Sequence, residues 1–368
     1  MSINLNVEAV NSWLNINSKP IVTAGPCSAE SEEQVMEVAN ALASSGKVSM
    51  FRAGVWKPRT RPGAFEGKAT EALLWLNKVK KETGLPVTVE VANPKHVEEA
   101  LKFGIDVLWI GARTTVNPFY VQEIAEALKG VDIPVMVKNP IHPELQLWIG
   151  ALERFNKVGI NKLAAIHRGF YSYQKTEYRN NPQWEIPIAL KVECPKVPII
   201  CDPSHISGRA EMIEEVSQKA IDLNMDGLMI ETHPNPSIAL SDAKQQITPQ
   251  KLIEILDNLK IRETHSDNLE FENLLEEFRH IINDIDSELL RILEQRMEVV
   301  EKIGAYKYEN NVAIFQLDRW AEILKTRKAT GYKLGLSDKF IQEIFQLIHT
   351  ESIRVQTEVT KQNKKTTS

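Results

Sequence analysis

Four residues of the sequence carry side chains that could together bind a metal ion. They are Cys27, His205, Glu231 and Asp242, which supply a thiolate, an imidazole and two carboxylates. Sulfur mixed with nitrogen and oxygen suits a divalent transition metal, because magnesium prefers oxygen ligands alone. Each residue also has an ordinary structural reading, since Cys27 could be a small buried hydrophobe and Asp242 a helix cap. The metal hypothesis therefore depends on the fold bringing all four together.

Six cations form a second set of candidate site residues. They are Arg52, Lys57, Arg59, Arg113, Lys138 and Arg168. The first three lie in the stretch "FRAGVWKPRTRPGAFEG", residues 51–67, where prolines stiffen the chain between positive charges. Several like charges around one cavity are tolerated when anions fill it, and phosphates and carboxylates match guanidinium and ammonium groups. If these cations meet, we expect them to bind an anionic substrate.

Short β-branched runs precede most of these residues and recur along the first 260 residues. The runs are 21–25, 49–53, 87–91, 106–111, 134–138, 162–166, 198–202 and 227–231. Amphipathic helical stretches separate them, which predicts an α/β fold, a (β/α)8 barrel, although a doubly wound sheet shares the alternation. The candidate residues follow the ends of the runs, and this favours the barrel, where all eight ends converge on one mouth.

The composition and charge exclude several classes of protein. The 368 residues carry a net charge of -5, which argues against a general nucleic-acid binder. No apolar run approaches the length of a membrane span and the start of the chain lacks a secretion signal, so we expect a cytoplasmic protein. The cysteines are Cys27, Cys194 and Cys201, too few to indicate a disulfide framework.

The last third of the sequence has helical periodicity and no strand signal. Apolar side chains at steps of three and four predict one long helix over 272–309, after a polar linker at 261–271. Shorter helices are predicted over 318–330 and 338–357, and the polar tail 358–368 is predicted to be disordered. Three helices of such unequal length cannot close a core alone, so we expect the long helix to pack against its copy in a homodimer or larger oligomer.

Two cations interrupt the apolar stripe of the long helix. Arg296 and Lys307 fall in phase with it and on one face, whereas Arg279 is rotated from Arg296 by about 100°. In the last helix, Ser352 and Gln356 follow the apolar positions in phase. Any one of these residues could be a rim residue whose stem covers apolar surface. Together they indicate a polar site among the helices.

Eight motifs between residues 20 and 258 resemble the 3-deoxy-D-arabino-heptulosonate 7-phosphate synthases. The motifs are "AGPCSAES", "FRAGVWKPRT", "GARTT", "VKNP", "HRGF", "DPSH", "MIETHP" and "SDAKQQ". The resemblance implies that residues 1–260 form a barrel that condenses phosphoenolpyruvate with erythrose 4-phosphate. It also implies one divalent ion of the manganese, iron, cobalt or zinc type, with four ligands: Cys27, His205, Glu231 and Asp242.

The same resemblance implies the substrate ligands. Those for phosphoenolpyruvate are Arg52, Lys57, Arg113, Lys138 and Arg168. Those for erythrose 4-phosphate are Lys57, Pro58, Arg59 and Thr60, although Arg61 follows where the family usually has a small hydroxyl residue. Further candidates in the motifs are His167 and Asp202. Lys57 would shuttle a proton, with His205 or a bound water as alternatives. Synthases of sialic acid and of 3-deoxyoctulosonate phosphate share the phosphoenolpyruvate chemistry and form the alternative.

Residues 272–357 resemble the all-helical chorismate mutases, which convert chorismate to prephenate. The matching stretches are "FRHIINDIDSELLRILEQRMEVVEKIGAYK", "LDRW" and "FQLIHTESIRVQ". The resemblance implies ligands for the dicarboxylate, with Arg296 and Lys307 as catalytic cations: Arg279, Arg296, Lys307, Arg319, Ser352 and Gln356. It further implies that Arg279 reaches the partner's site. The chain departs from the family at Trp320, where members carry an acid.

The helical region has two possible roles. It is either a second active site or a non-catalytic module that senses chorismate or prephenate. The barrel sequence begins close to Met1, which leaves the helical region as the candidate for regulation. We therefore expect prephenate, more than free aromatic amino acids, to inhibit the barrel enzyme by favouring one arrangement of the two domains.

Overall fold

The computed structural model describes residues 3–14, 20–57, 63, 65–173, 176–262 and 266–366. It divides into two compact units, Met1–Thr264 and His265–Ser368. Every strand of the described residues lies in the first unit, and the second unit is helical. Within the described residues, no helix is both long enough and apolar enough to cross a membrane.

Eight parallel strands close into a barrel in the first unit. They are β1 Ile21–Gly25, β2 Met50–Arg52, β3 Val87–Val91, β4 Val107–Ile110, β5 Val135–Lys138, β6 Leu163–His167, β7 Ile199–Cys201 and β8 Gly227–Glu231. Each strand pairs with its neighbour in sequence, and β8 pairs with β1. The predicted barrel is therefore confirmed, and the doubly wound alternative is excluded because such a sheet is open.

One or two helices follow each strand. They are α1 Glu32–Ser44, α2 Thr70–Thr83, α3 Pro94–Lys102, α4 Ala112–Thr115, α5 Pro118–Ala127, α6 Leu145–Lys157, α7 Glu185–Glu193, α8 Pro203–Ser207, α9 Ile213–Asp222 and α10 Pro249–Asn258. Polar caps mark where several begin. The Ser31 side chain accepts a hydrogen bond from the Gln34 amide before α1, and Asn93 does the same for His96 before α3.

Two apolar layers hold the barrel together. The larger lies between the strands and the surrounding helices and includes Phe51, Leu108 and Trp148. The smaller fills the barrel interior around Met50 and Trp109. Because the interior is packed with side chains, the strand ends at the mouth are the part of the barrel left to bind substrates.

Gly25 lets neighbouring strands approach closely at the mouth. Its φ is +147°, and a Cβ at this position would lie 2.0 Å from the backbone oxygen of Arg52. Glycine alone avoids this clash, since it has no Cβ. The strand register also sets Gly25 opposite Glu231. The glycine therefore helps to bring Cys27, Arg52 and Glu231 to one side of the mouth.

Three helices form the described part of the second unit. They are α11 Leu269–Glu309, α12 Leu317–Lys333 and α13 Asp338–Thr366. The α11 helix begins after Asn268, whose side chain accepts a hydrogen bond from the Phe271 amide. The long helix expected from residue 272 is confirmed and starts at Leu269.

The end of α13 differs from the sequence prediction. The helix runs to Thr366, so the expected disordered tail is wrong for residues 358–366. Side-chain pairs one turn apart support the helix where it enters this segment: Arg354 pairs with Glu358, and Thr360 donates a hydrogen bond to the Gln356 carbonyl. Polar composition alone was a poor guide here, because lysine and glutamine are good helix formers.

Two candidate active sites

Three of the four predicted metal ligands meet at the barrel mouth. Cys27 follows β1, Glu231 ends β8, and Asp242 lies in the loop after β8 with a left-handed backbone conformation. Cys27 Sγ and one carboxylate oxygen from each acid all lie within 4.8 Å of one another. Donor atoms at this spacing, contributed by sulfur and oxygen, are compatible with one shared transition-metal cation.

His205, the fourth predicted ligand, lies beside this group rather than inside it. Its Nε2 is 3.9 Å from Glu231 Oε1, and its Nδ1 is 2.8 Å from Asp202 Oδ2. Asp202 also accepts a hydrogen bond from the His205 amide at the start of α8, so one carboxylate positions both the ring and the backbone. A carboxylate behind one ring nitrogen is typical of histidines that bind metals through the other nitrogen.

The electrostatics of the group favour a bound cation. Burial, followed by the nearby Glu231 carboxylate, raises the pKa of the Cys27 thiol to about 12. Glu231 Oε1 is buried without a hydrogen-bond partner among the described residues, although Arg52 Nη2 lies 3.1 Å away. A buried thiol and an acceptor lacking a hydrogen bond are groups that a divalent metal would satisfy. The residues present therefore fit the metal expected from the sequence.

Arg179 is a neighbour of these ligands that sequence reasoning missed. Its Nη1 lies 3.0 Å from Asp242 Oδ1, and it also donates to the Gln245 side chain. Burial would raise the pKa of Asp242, but the charge of Arg179 and its hydrogen bond outweigh burial and lower the pKa well below its usual range. Arg179 lies in the loop between β6 and α7, away from any strand end, so the pattern that located the other cations could not find it.

Four of the six predicted cations line a cavity of about 320 Å³ at the mouth. They are Lys57, Arg113, Lys138 and Arg168. Lys138 forms a buried ion pair with Asp202 at 2.9 Å, and Arg168 donates a hydrogen bond of 2.7 Å to Asn180 Oδ1. Burial lowers the pKa of Arg168 to about 10, which leaves it charged at neutral pH. The cavity is thus suited to an anion.

Arg52 and Lys57 connect the cations to the metal ligands. Arg52 is 1% exposed, pairs with Glu231 and lies over the Trp109 ring, 5.0 Å from its centre. Lys57 Nζ lies 2.8 Å from Cys27 O and 3.1 Å from Cys27 Sγ. Burial opposes the charge on Lys57, but Cys27 and Glu231 outweigh burial and raise its pKa. Lys57 is therefore a protonated ammonium beside the candidate metal ligands.

The other barrel candidates are placed differently. Outside the described residues lie Pro58, Arg59, Thr60 and Arg61. His167 is fully buried near the rings of Phe170 and Trp184, and burial lowers its pKa to about 3. It does not line the described cavity. His167 packs beside these two rings, and its predicted substrate contact stays a prediction.

A second cavity, of about 750 Å³, lies among the three helices of the second unit. Its lining includes five of the six residues predicted there: Arg296, Lys307, Arg319, Ser352 and Gln356. Arg296 Nη1 donates a 2.7 Å hydrogen bond to Ser352 Oγ, and Lys307 Nζ donates to a backbone carbonyl at 2.7 Å. Gln356 Oε1 is buried and lacks a hydrogen-bond partner among the described residues. Convergent cations with an unpaired acceptor indicate a site for a polar, anionic ligand.

Arg279, the sixth residue, lies elsewhere. It is exposed on α11, pairs with Glu276 at 3.2 Å and does not line the described cavity, as its rotation from Arg296 predicted. The lining also includes Arg327 and His349, which sequence reasoning missed. Burial and the charge of Arg327 lower the pKa of Arg296. Arg327 comes two helical turns after Trp320 on α12, so the two residues share one face of the helix. The helical period in the sequence could therefore have identified Arg327.

Comparison with known proteins matches this chain to two families. The DAHP synthetase I family matches residues 11–267, and the chorismate mutase type II family matches residues 278–357. The first match covers well over half of the 368 residues.

Individual relatives and a solved structure agree with the first match. A phospho-2-dehydro-3-deoxyheptonate aldolase of Thermotoga maritima is 29% identical over 239 residues, which cover 65% of this chain and 68% of the relative. A 2-dehydro-3-deoxyphosphooctonate aldolase of Variovorax paradoxus is 28% identical over 271 residues, which cover 64% and 87%. The crystal structure of the Thermotoga enzyme matches with a TM-score of 0.59 at 29% identity, covering 64% of this chain and 67% of that chain. The chain therefore belongs to the DAHP synthetase I family and carries a chorismate mutase type II domain after its barrel.

Proposed function

We propose that the two cavities are the active sites of the two activities that these domains bring to aromatic amino acid biosynthesis. The barrel cavity condenses phosphoenolpyruvate with erythrose 4-phosphate to 3-deoxy-D-arabino-heptulosonate 7-phosphate and phosphate. The helical cavity rearranges chorismate to prephenate. The observation that carries the barrel assignment is the meeting of Cys27, Glu231 and Asp242 within 4.8 Å, beside a cation-lined cavity.

The ligand group and the cavity cations have separate tasks in this proposal. Cys27, Glu231 and Asp242, with His205 beside them, would hold a divalent metal ion, which when bound polarises the aldehyde as a Lewis acid. The cavity cations bind the phosphate and carboxylate of phosphoenolpyruvate through charge-assisted hydrogen bonds. Holding C3 of this substrate against the aldehyde carbon makes the bond-forming step effectively unimolecular.

Lys57 is proposed to supply the proton that the aldehyde oxygen takes up when the carbon–carbon bond forms. Its raised pKa keeps it protonated, and it lies 3.1 Å from Cys27 Sγ. Water then adds at C2 and phosphate leaves by cleavage of the C2–O bond. The proton released by that water is proposed to return to Lys57, which restores its ammonium group. Burial lowers the pKa of His205 despite the opposing charge of Asp202, so His205 is neutral and its Nε2 could bind the metal.

Cobalt(II) added to the metal-depleted full chain is expected to give a near-ultraviolet sulfur-to-cobalt charge-transfer band, because Cys27 would bind as a thiolate. Cys27→Ala should abolish the band, whereas Cys194→Ala, at a buried cysteine outside the group, should keep it. A thiol with a pKa of about 12 must lose its proton on binding, so cobalt affinity should fall as pH falls. An unchanged band in Cys27→Ala would exclude this ligand group.

A related phosphoenolpyruvate-condensing sugar acid synthase is the second candidate for the barrel. It is favoured by the likeness to 2-dehydro-3-deoxyphosphooctonate aldolases and disfavoured by the match of residues 11–267 to the DAHP synthetase I family, followed by a chorismate mutase domain. Rates with erythrose 4-phosphate and with a five-carbon sugar phosphate, measured side by side, decide between the two.

The proposed mutase site needs no nucleophile. Rearrangement requires that a flexible dianion be held compact and that charge developing on its ether oxygen be stabilised. Arg296, Lys307 and Arg319 supply cations, and Arg327 adds another on the same lining. Ser352 holds Arg296 in place through its 2.7 Å hydrogen bond. Partial burial of Arg296 and Lys307 strengthens their attraction for a dianion.

A second copy of the chain is proposed to complete this site. The first half of α11 leaves a row of large apolar side chains about half exposed, including Phe278, Ile285 and Leu289. An exposed apolar row of this extent favours burial against another surface. Arg279 lies on the same segment and outside its own cavity. In a symmetric dimer each Arg279 would reach the cavity of the partner.

Prephenate is expected to inhibit the synthase reaction of the full chain, because a ligand in the helical cavity can favour one arrangement of the two units. The measurement is the initial rate of condensation against prephenate concentration. Arg296→Ala should lose most of this inhibition, because its cavity lacks a cation that binds a carboxylate of prephenate. Its synthase rate without prephenate should be unchanged. Equal inhibition of Arg296→Ala and the wild type would place the effector outside the helical cavity.

A further inference from the structure

His349 lines the helical cavity and carries a buried polar atom that the proposed mechanism leaves unused. The residue lies on α13 and lines the cavity together with Arg296 and Lys307. Its Nε2 is buried and has no hydrogen-bond partner among the described residues. An unpaired buried polar atom costs free energy unless a ligand satisfies it. Because His349 lines the cavity, a bound ligand is the natural partner for this atom.

Two aromatic rings hold the plane of this imidazole. Trp320 stacks on His349 with 4.1 Å between ring centres and 10° between planes, and the Phe315 ring lies 5.9 Å away at 56°. Indole offers a donor but no acceptor, so Trp320 gives the wall shape and rigidity rather than an acceptor for a ligand. Nε2 is therefore the atom of this stack that can recognise a ligand group, and the fixed ring plane sets the direction of its hydrogen bond.

The charges around His349 keep the imidazole neutral. Burial, followed by the charges of Arg296 and Lys307 on α11, lowers the pKa of His349. The lining contributed by α12 adds the charged groups Asp318, Arg319 and Arg327. A neutral imidazole has one donor and one acceptor nitrogen, which suits an uncharged ligand group better than a carboxylate.

We propose that His349 Nε2 hydrogen-bonds the ring hydroxyl of chorismate and thereby selects the hydroxylated substrate. This inference rests on the proposed mutase function of the cavity. The two carboxylates and the ether oxygen of chorismate carry or develop negative charge, which the lining cations match. The hydroxyl is the uncharged hydrogen-bonding group that remains. Gln356 can turn its amide to present a donor to an oxygen of the substrate, whereas the stack holds the His349 ring.

The test compares chorismate with an analogue in which hydrogen replaces the ring hydroxyl. His349→Phe keeps an aromatic ring against Trp320 and removes both nitrogens, and His349→Gln keeps a hydrogen-bonding group. We expect His349→Phe to lower kcat/KM for chorismate by about 10- to 100-fold, the loss expected for one buried hydrogen bond, and His349→Gln to recover part of it. Replacing chorismate by the deoxy analogue should lower kcat/KM of the wild type by a similar factor and change that of His349→Phe little. A purely structural role of His349 would not couple the two changes in this way.

Several outcomes would overturn the inference. One is an equal kcat/KM of the wild type for chorismate and its deoxy analogue, which needs no variant and is independent of variant folding. Another is an equal loss for both substrates in a His349→Phe protein that keeps the wild-type circular dichroism. These outcomes differ from a failure of the proposed mutase function, in which the wild type would not rearrange chorismate at all. In that case the inference about His349 would fail too.

Discussion

Replacing Arg296 by alanine is expected to lower kcat/KM of the mutase reaction by about 100- to 1,000-fold, the usual effect of removing one group aimed at developing charge. Arg296 is partly buried, lines the helical cavity and is held by Ser352 at 2.7 Å, so its loss removes a charge with a fixed position. The measurement is the disappearance of chorismate under steady-state conditions. Arg354→Ala is a matched control, because Arg354 is exposed and pairs with Glu351 and Glu358 on its own helix.

The same variant tests the shared site. Arg279→Ala should also be inactive if Arg279 acts on the partner's cavity. Mixing the two variants under conditions that exchange subunits should restore about a quarter of wild-type activity, since half of the dimers are mixed and each has one intact site. No recovery in verified mixed dimers would refute the exchange of Arg279, while leaving the role of Arg296 intact.

Lys57→Met is expected to lower kcat of the condensation by about 100- to 10,000-fold, the range for loss of a positioned proton-transfer group. Methionine preserves the length of the side chain but removes the charge that lies 3.1 Å from Cys27 Sγ. Lys57→Arg separates charge from proton transfer, because arginine stays charged but does not give up its proton in proteins. It should restore KM for phosphoenolpyruvate without restoring kcat.

Lys68→Met provides the control for this series, since Lys68 is exposed and lies outside the cavity lining. Its condensation rate should match that of the wild type. A Lys57→Arg protein with wild-type kcat would show that Lys57 contributes charge alone, and the proton would then have to come from another group such as a bound water.

The barrel was predictable because its signals are local. Each buried strand is a short β-branched run, and parallel strands of a closed barrel must all end at one mouth, so residues far apart in sequence, such as Cys27 and Glu231, could be assigned to one site. The long helix was also predictable from a local signal, because its apolar residues recur at steps of three and four in the sequence.

Residues on irregular loops, or on faces defined only by packing, were not predictable in this way. Arg179 reaches Asp242 from a loop whose path depends on the surrounding fold. His349 and Trp320 are 29 residues apart and become neighbours because α12 packs against α13. At the polar end of α13, a local signal was misjudged. Its residues are good helix formers and continue the helix, whereas their polar composition had suggested disorder.

The sequence by itself determined the eight strands, the long helix and the identity of the candidate ligands and cations, because strand length, helical period and side-chain chemistry are local properties. Only the tertiary structure decided which groups are charged, paired or unpaired. Burial raises the pKa of the Cys27 thiol, and Asp202 positions His205, because of neighbours distant along the chain. The unpaired Nε2 of His349 is likewise a product of helix packing, since hydrogen bonding and desolvation depend on what the fold places around each atom.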